Sequence, residues 1–379
     1  MNKKYLLFLL LILFVSIFFI GRAAFAIEPI TSCDPVNGVT PLCNWQNPED
    51  ITPLPDGRHI IVSEYGGMNG EKSGTIALLN LETKSRTVLY DGNGLNQPGP
   101  WGAEDCIEPQ GRSFSPHGIH LSQRADGTLQ LFAVQHSGRE SVEMFEVKND
   151  LNDWSVEWRG CAIPPKGSTL NDVVGLSDGS FLVTHMMTKR SNGLGQFAEF
   201  FKASALNIDG GHVLAWQPAG GFEQLPNSAG AMTNGIEISA DESSVFVNYS
   251  LSGELRRINI ESGEIEAINS ELPPLDNASW SPDGKLLVAG ALTESFGDMV
   301  VIMGCENIES GSCPGPFVII EVDPNTLAGK PIYKADAETP GGAGTVGVQL
   351  NDGSLLVGTF AGDRILQVSP HALINNHSK

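Results

Sequence analysis

Oxygen-donor side chains recur in this sequence at one distance ahead of a turn. Glu49-Asp50, Asn171-Asp172, Asn234 and Asp276-Asn277 each stand six or seven residues before the aspartate that opens a turn, at Asp56, Asp178, Asp241 and Asp283. His117 stands nine before Asp126, and Thr345 seven before Asp352. A single Asp or Asn near a turn is ordinarily a cap or a solvated loop residue. Acid or amide pairs at one offset in three repeats are a different matter. Glu49, Asn171, Asn234, Asp276 and Asn277 offer only oxygen. Two carboxylates balance a divalent charge, and amide oxygens complete a shell of six to eight, which favours calcium over magnesium. Asp50 and Asp172 follow donors directly, so an extended backbone points them the other way, toward a second ion deeper in the same channel. Two imidazoles, His117 and His136, could move a proton near neutral pH.

Residues this far apart converge only if the chain is a closed repeat, and a repeat is visible. Asp-Gly turns followed by apolar runs occur at Asp56-Gly57, Asp126-Gly127, Asp178-Gly179, Asp283-Gly284 and Asp352-Gly353, with Asp241-Glu242 as a sixth copy. Asp-Gly between apolar runs signals a hairpin, because both residues tolerate positive φ. The copies are 70, 52, 63, 42 and 69 residues apart, which suits blades of four short strands with loops. Gly253–Ile260, Phe317–Val322 and Arg364–Val368 read as outer, half-exposed strands of such blades. The expected fold is all-β, a six-bladed β-propeller over 27–379, with its donors where the innermost strands begin. The long regular period disfavours a β-sandwich. Leu194, Phe197, Phe200, Phe201 and Ala205 form an i, i+3, i+4 stripe, which predicts a short helical insertion near 194–206 on the propeller flank or over its channel mouth.

Composition narrows the setting. Lys3 and Lys4 precede the apolar run Tyr5–Ile20, and Ala24-Phe25-Ala26 ends it. This pattern predicts a signal peptide over 1–26 and export to the periplasm or medium, with membrane anchoring only if the signal is retained. The formal charge of −21 becomes −24 once the basic residues Lys3, Lys4 and Arg22 are removed. So acidic a chain repels phosphate backbones, which excludes nucleic acid as a partner. No stable membrane insertion is expected after cleavage. Six cysteines follow the signal, an even count that fits disulfides in an oxidising compartment. Cys33–Cys43 and Cys305–Cys313 could close small loops, leaving Cys106–Cys161. Asn248-Tyr249-Ser250 and Asn277-Ala278-Ser279 match the N-glycosylation pattern, although Asn277 is better explained as a ligand.

Seven segments from about Asn47 to Val368 resemble the paraoxonase (arylesterase and lactonase) family, within the gluconolactonase-like and strictosidine-synthase-like propellers. They are Pro48–Ile51, Ser115–Ile119, Val134–His136, Leu170–Val173, Thr233–Ile236, Leu275–Ala278 and Gly344–Val346 through to Gly358-Thr359. The resemblance implies two calcium ions. Glu49, Asn171, Asn234, Asp276 and Asn277 would hold the catalytic ion. Asp50, Asp172 and the Ile119 carbonyl would hold the structural one. His117 and His136 match the family's proposed catalytic pair. Three departures stand out: Ala291 occupies the place of a third active-site histidine, no cysteine after Cys313 can join the chain ends, and the region around Leu194–Leu206 differs.

The function expected is calcium-dependent hydrolysis of lactones or aryl esters, small molecules rather than macromolecular partners. The ion would polarise the carbonyl, Asn171 would add a hydrogen bond, and His117 would act as base on water with His136 relaying the proton. Two alternatives compete. One is a non-catalytic, calcium-stabilised propeller that binds a partner on its face, which has no need of the histidine pair. The other is a hydrolase of sugar lactones, whose relatives generally lack that pair.

Overall fold

The computed structural model describes residues 27–374 apart from 68–69, 71, 95–98, 152, 190–209, 294–295, 306–307 and 309. The signal segment and the stripe at 194–206 therefore lie outside the described residues.

After β1 (Val39–Cys43), six antiparallel sheets follow one another along the chain, each forming a blade. The first blade is β2 (Pro48–Pro53), β3 (His59–Glu64), β4 (Thr75–Asn80) and β5 (Arg86–Tyr90). The two-residue β6 (Trp101–Gly102) then adds in parallel to the edge of the second blade, built from β7 (Pro116–Gln123), β8 (Leu129–Gln135), β9 (Ser141–Asp150) and β10 (Asp153–Ala162). The third holds β11 (Ser168–Gly175), β12 (Phe181–Thr188), β13 (His212–Gln217) and β14 (Gly221–Gln224). The fourth holds β15 (Thr233–Ile238), β16 (Ser244–Tyr249), β17 (Glu254–Asn259) and β18 (Ile265–Asn269). The fifth holds β19 (Leu275–Trp280), β20 (Leu286–Ala291), β21 (Phe317–Val322) and β22 (Gly329–Lys334). A short helix, α1 (Phe296–Gly304), lies between β20 and β21; the sequence reading did not anticipate it. The sixth blade takes β23 (Gly344–Gln349), β24 (Leu355–Thr359) and β25 (Arg364–Val368), and its outer strand is β1.

All six predicted turns join an innermost strand to its second strand. Gly57, Gly127, Gly179, Gly284 and Gly353 have φ between 65° and 90°, and Glu242 takes the left-handed conformation at 56° in the sixth copy. The turn aspartates hold the backbone directly. Asp56, Asp126, Asp178, Asp241 and Asp352 each accept the N–H two residues on, at 2.8–3.1 Å.

Packing explains why the second and third strands read as apolar runs. Both faces of each sheet press on neighbouring blades, so alternation is lost. Ile60-Ile61-Val62, Leu131–Val134 and Leu286–Ala289 are all buried. Of the three strands expected to be outer and half-exposed, all prove to be third strands. Only β17 alternates; β21 and β25 are almost wholly buried. The outer position falls to strands such as β5 and β18, which are largely exposed.

The ring closes without a disulfide between the chain ends. β1 pairs antiparallel with β25 from Val39↔Val368 to Cys43↔Arg364. The Arg364 side chain is 1 % exposed. Its guanidinium donates to the carbonyls of Ile30 (2.9 Å), Pro340 (2.9 Å) and Ser32, so it ties the start of the domain to the last blade. The three cysteine pairs are Cys33–Cys43, Cys106–Cys161 and Cys305–Cys313, as expected.

Candidate active site

The innermost strands β2, β7, β11, β15, β19 and β23 contact one another in that order and back to β2, around a central channel. Each carries a polar residue near its start: Glu49-Asp50, His117, Asn171-Asp172, Asn234, Asp276-Asn277 and Thr345. Each also carries a register irregularity at that point against its second strand, at Pro48/Asp50, Pro116/Ile119, Leu170/Val173, Thr233/Ile236, Leu275/Ala278 and Gly344/Val346. A bulge leaves residues out of the ladder and re-aims side chains. Six at one level open the ring where the polar groups stand. Close approach between neighbouring strands requires glycine at two places. A Cβ on Gly118 would lie 2.3 Å from Asp172 Oδ1, and one on Gly235 would lie 2.4 Å from the Asp276 carbonyl oxygen.

The predicted donors are brought together. Asn277 Nδ2 donates to Glu49 Oε1 at 2.9 Å, and the Asn234 side chain hydrogen-bonds Asp276. Glu49 Oε2, Asn171 Oδ1, Asn234 Oδ1 and Asn277 Oδ1 are buried with no hydrogen-bond partner. Four orphaned acceptors in one channel are costly unless something positive satisfies them. Asp276 keeps part of its surface open. Thr345 plays a different part: its hydroxyl donates to the Glu49 carbonyl at 2.5 Å and holds that backbone in place.

Asp50 and Asp172 stitch blades together. Asp50 accepts from Ile51 N at 2.8 Å and from Ile119 N, in the next blade, at 2.7 Å. Asp172 accepts from Val173 N at 2.8 Å and Ile236 N at 2.9 Å. Ile119 thus meets Asp50 through its N–H.

Electrostatics show the same need for a cation. Burial pushes the Glu49 carboxyl up to about 8, against the lowering effects of the Asn277 hydrogen bond and the His136 charge. Burial also raises Asp50, Asp172 and Asp276 well above the usual carboxylate range. The Glu49 charge raises all three further, and Asp50 acts on Asp172. Four such carboxylates can ionise together only beside positive charge. The residues therefore fit a hard divalent cation. Among the described residues no three His, Cys, Asp or Glu side chains alone could hold a metal; here three of the five expected donors are asparagines.

The histidines form a true pair. His117 Nδ1 lies 3.0 Å from His136 Nε2, and His117 Nε2 lies 3.5 Å from Glu49 Oε1. Burial holds His117 down at about 4, with Glu140 raising it slightly, and burial lowers His136 as well. The His117 ring is neutral at neutral pH.

Three neighbours escaped the sequence pattern. Tyr65 stacks on His117, with ring centroids 4.5 Å apart and planes at 23°. Glu140 Oε2 lies 2.9 Å from His136 Nδ1. Asn248, on the second strand β16, donates through Nδ2 to the Asp276 carbonyl and leaves its own Oδ1 unsatisfied. Asn248 and Asn277 are each 1 % exposed, so neither glycosylation pattern is accessible. Of the three, Glu140 alone had a sequence signal, four residues beyond His136. Ala291 ends β20 and has no group to offer the site.

Fold and site together define a six-bladed propeller with a carboxylate and amide cluster in its channel and a buried histidine pair beside it. The chain belongs to the arylesterase family, whose profile matches residues 32–361, which bears out the paraoxonase-type resemblance. No curated protein matches the sequence. Similar solved structures include a luciferin-regenerating enzyme, with TM-score 0.52 and 11 % identity over 90 % of this chain and 97 % of that one. Another is a calcium-binding protein, regucalcin, from Agrobacterium tumefaciens str. C58, with TM-score 0.47 and 13 % identity over 91 % and 94 %. At 11 % identity the luciferin-regenerating enzyme speaks to architecture alone.

Proposed function

We propose that this protein is an exported, calcium-dependent hydrolase of lactones and aryl esters, with residues 27–379 as its single domain. Family membership supports a hydrolase of the paraoxonase and lactonase kind. The observation that carries the finer reading is the His117–His136 contact at 3.0 Å beside four orphaned channel oxygens.

Glu49, Asn171, Asn234, Asp276 and Asn277 would hold the catalytic calcium, and Asp50, Asp172 and the Ile119 carbonyl a second, structural ion. When bound, calcium supplies Lewis-acid polarisation of the ester carbonyl. The residues of the chain do the rest. Neutral His117 presents Nε2 toward the donor cluster and takes a proton from water as the water oxygen attacks. His117 Nδ1 faces His136 Nε2, so the charge gained is shared along the pair toward Glu140. The proton then returns to the departing oxygen. Burial makes His117 a weaker base than free imidazole, and the carboxylate behind His136 offsets that by favouring the charged pair. Tyr65 keeps the His117 ring from turning.

The deciding assay offers phenyl acetate and aliphatic lactones to the purified protein, with and without a calcium chelator, beside His117→Gln and Asp276→Ala. Turnover that survives chelation would sink the metal-dependent reading. Calcium binding without turnover of any ester would favour the partner-binding propeller, and turnover confined to sugar lactones the other alternative.

A further inference from the structure

We propose that Glu140 is the positioning residue of the histidine pair, setting the tautomer of His136 and, through it, that of His117. The inference deepens the hydrolase reading and rests on it for its catalytic consequence.

Glu140 sits in the turn between β8 and β9. Its carboxylate is held from three sides. Oε2 lies 2.9 Å from His136 Nδ1 and accepts from Leu170 N at 3.2 Å, and Oε1 accepts from Lys189 Nζ at 3.0 Å. A carboxylate so engaged is an acceptor only, so His136 Nδ1 must carry the proton; a lone pair there would face a negative oxygen. In the neutral His136 ring, Nε2 is then unprotonated. It faces His117 Nδ1 at 3.0 Å, so His117 must donate from Nδ1. One lone pair remains in the chain of contacts, on His117 Nε2; Glu49 Oε1, 3.5 Å away and already accepting from Asn277, is too distant to fix a proton there, and the lone pair is directed toward the oxygen-donor cluster. One carboxylate, two imidazoles and two hydrogen bonds thus leave a single basic nitrogen, aimed where a substrate would react.

Leu170 adds a second constraint. It precedes Asn171 on β11, so the atom that fixes the histidines also holds the backbone beside a channel donor. Lys189, just past the end of β12 in that blade, neutralises the outer oxygen. Without Glu140 either tautomer of His136 is allowed. In the wrong one, His117 Nε2 carries the proton and has no base to offer.

The test labels histidine with 15N in the full protein, in calcium-containing buffer. Long-range proton–nitrogen spectra of the wild type, Glu140→Gln and Glu140→Asp are then compared with kcat and KM on phenyl acetate. The wild type should show His136 as the Nδ1–H tautomer. In Glu140→Gln the carboxamide both donates and accepts, so both tautomers should appear. Its kcat should fall roughly 100-fold, the low end for a general base out of position, with KM within about threefold. Glu140→Asp keeps an acceptor-only group and should restore the single tautomer and recover kcat to within about tenfold. Melting temperature reports whether each variant folds, and the Asp variant serves if the Gln variant does not. Unchanged tautomers in Glu140→Gln overturn the proposal. Mixed tautomers with kcat within twofold of wild type overturn the role in catalysis. A wild type inert on every ester, with tautomers that still follow residue 140, overturns the hydrolase reading and leaves the positioning intact.

Discussion

The Asn277 amide donates to Glu49 Oε1 at 2.9 Å across 228 residues of sequence, from the fifth blade to the first. That one bond uses one N–H of the Asn277 amide and one oxygen of Glu49. Asn277 Oδ1 and Glu49 Oε2 remain buried and unsatisfied, and Glu49 Oε1 also faces His117. The contact links the donor cluster to the histidine pair.

If those oxygens hold calcium, removing one carboxylate should cost most of the affinity. Asp276→Ala is expected to weaken calcium binding by at least about 100-fold in titration calorimetry, about 3 kcal/mol by the usual conversion. The same variant should lose the rise in melting temperature that calcium gives the wild type. An unaltered calcium titration would remove Asp276 from the ligand set.

Calcium-stripped protein should be less stable at pH 8.5 than at pH 6.5. The Glu49 carboxyl is raised to about 8 from an ordinary 4.5, so the folded state binds its proton more tightly than the unfolded chain does. That contribution is fully present below the ordinary value and is lost as pH rises through about 8. Asp50, Asp172 and Asp276 are raised for the same reason and act in the same direction. His117, His136, His185 and His212 are lowered and act the other way; their contribution begins to fade at the lower edge of this window, and the four raised carboxylates outweigh it. Glu49 alone contributes about 2 kcal/mol between the two pH values, or roughly 3 °C in melting temperature. Added calcium should abolish most of the difference, because it favours the ionised carboxylates. Thermal melts in chelator and in calcium at both pH values check this.

The two histidines should fail as a unit. His117→Gln is expected to lower kcat on phenyl acetate by roughly 100-fold or more and His136→Gln by roughly 10- to 100-fold. The double variant should be little worse than His117→Gln alone, since contacting residues are not additive. Tyr65→Leu, which removes the stack on His117, should reduce kcat about tenfold. Additive losses in the double variant would argue against a relay.

Arg364 should matter for stability alone. Arg364→Met strips the hydrogen bonds from the carbonyls of Ile30, Ser32 and Pro340 in a buried setting. It is expected to cost at least about 3 kcal/mol in urea unfolding, with KM unchanged in whatever protein remains folded.

Much of this molecule was legible in its residue order, because the information was local. An Asp-Gly turn needs only its own backbone, so six turns counted six blades. Offsets of six and seven residues placed Glu49, Asn171, Asn234, Asp276 and Asn277 near the starts of inner strands, because a strand has a fixed rise. His117 stood on one strand of a hairpin and His136 just past the end of the other, while short loops suggested two cysteine pairs and left Cys106–Cys161 as the third. The remainder depended on closure of the ring. The bulges that open the ladder at each polar residue arise from strand pairing and have no period. Glu140 and Leu170 meet across a blade boundary, Asn248 and Asp276 across another, and Arg364 reaches back to Ile30 over 334 residues. The second and third strands look alike in sequence because both are buried on both faces, so their order within a blade was not encoded in composition. Local spacing set which residues could act; only the closed ring decided which atoms face one another.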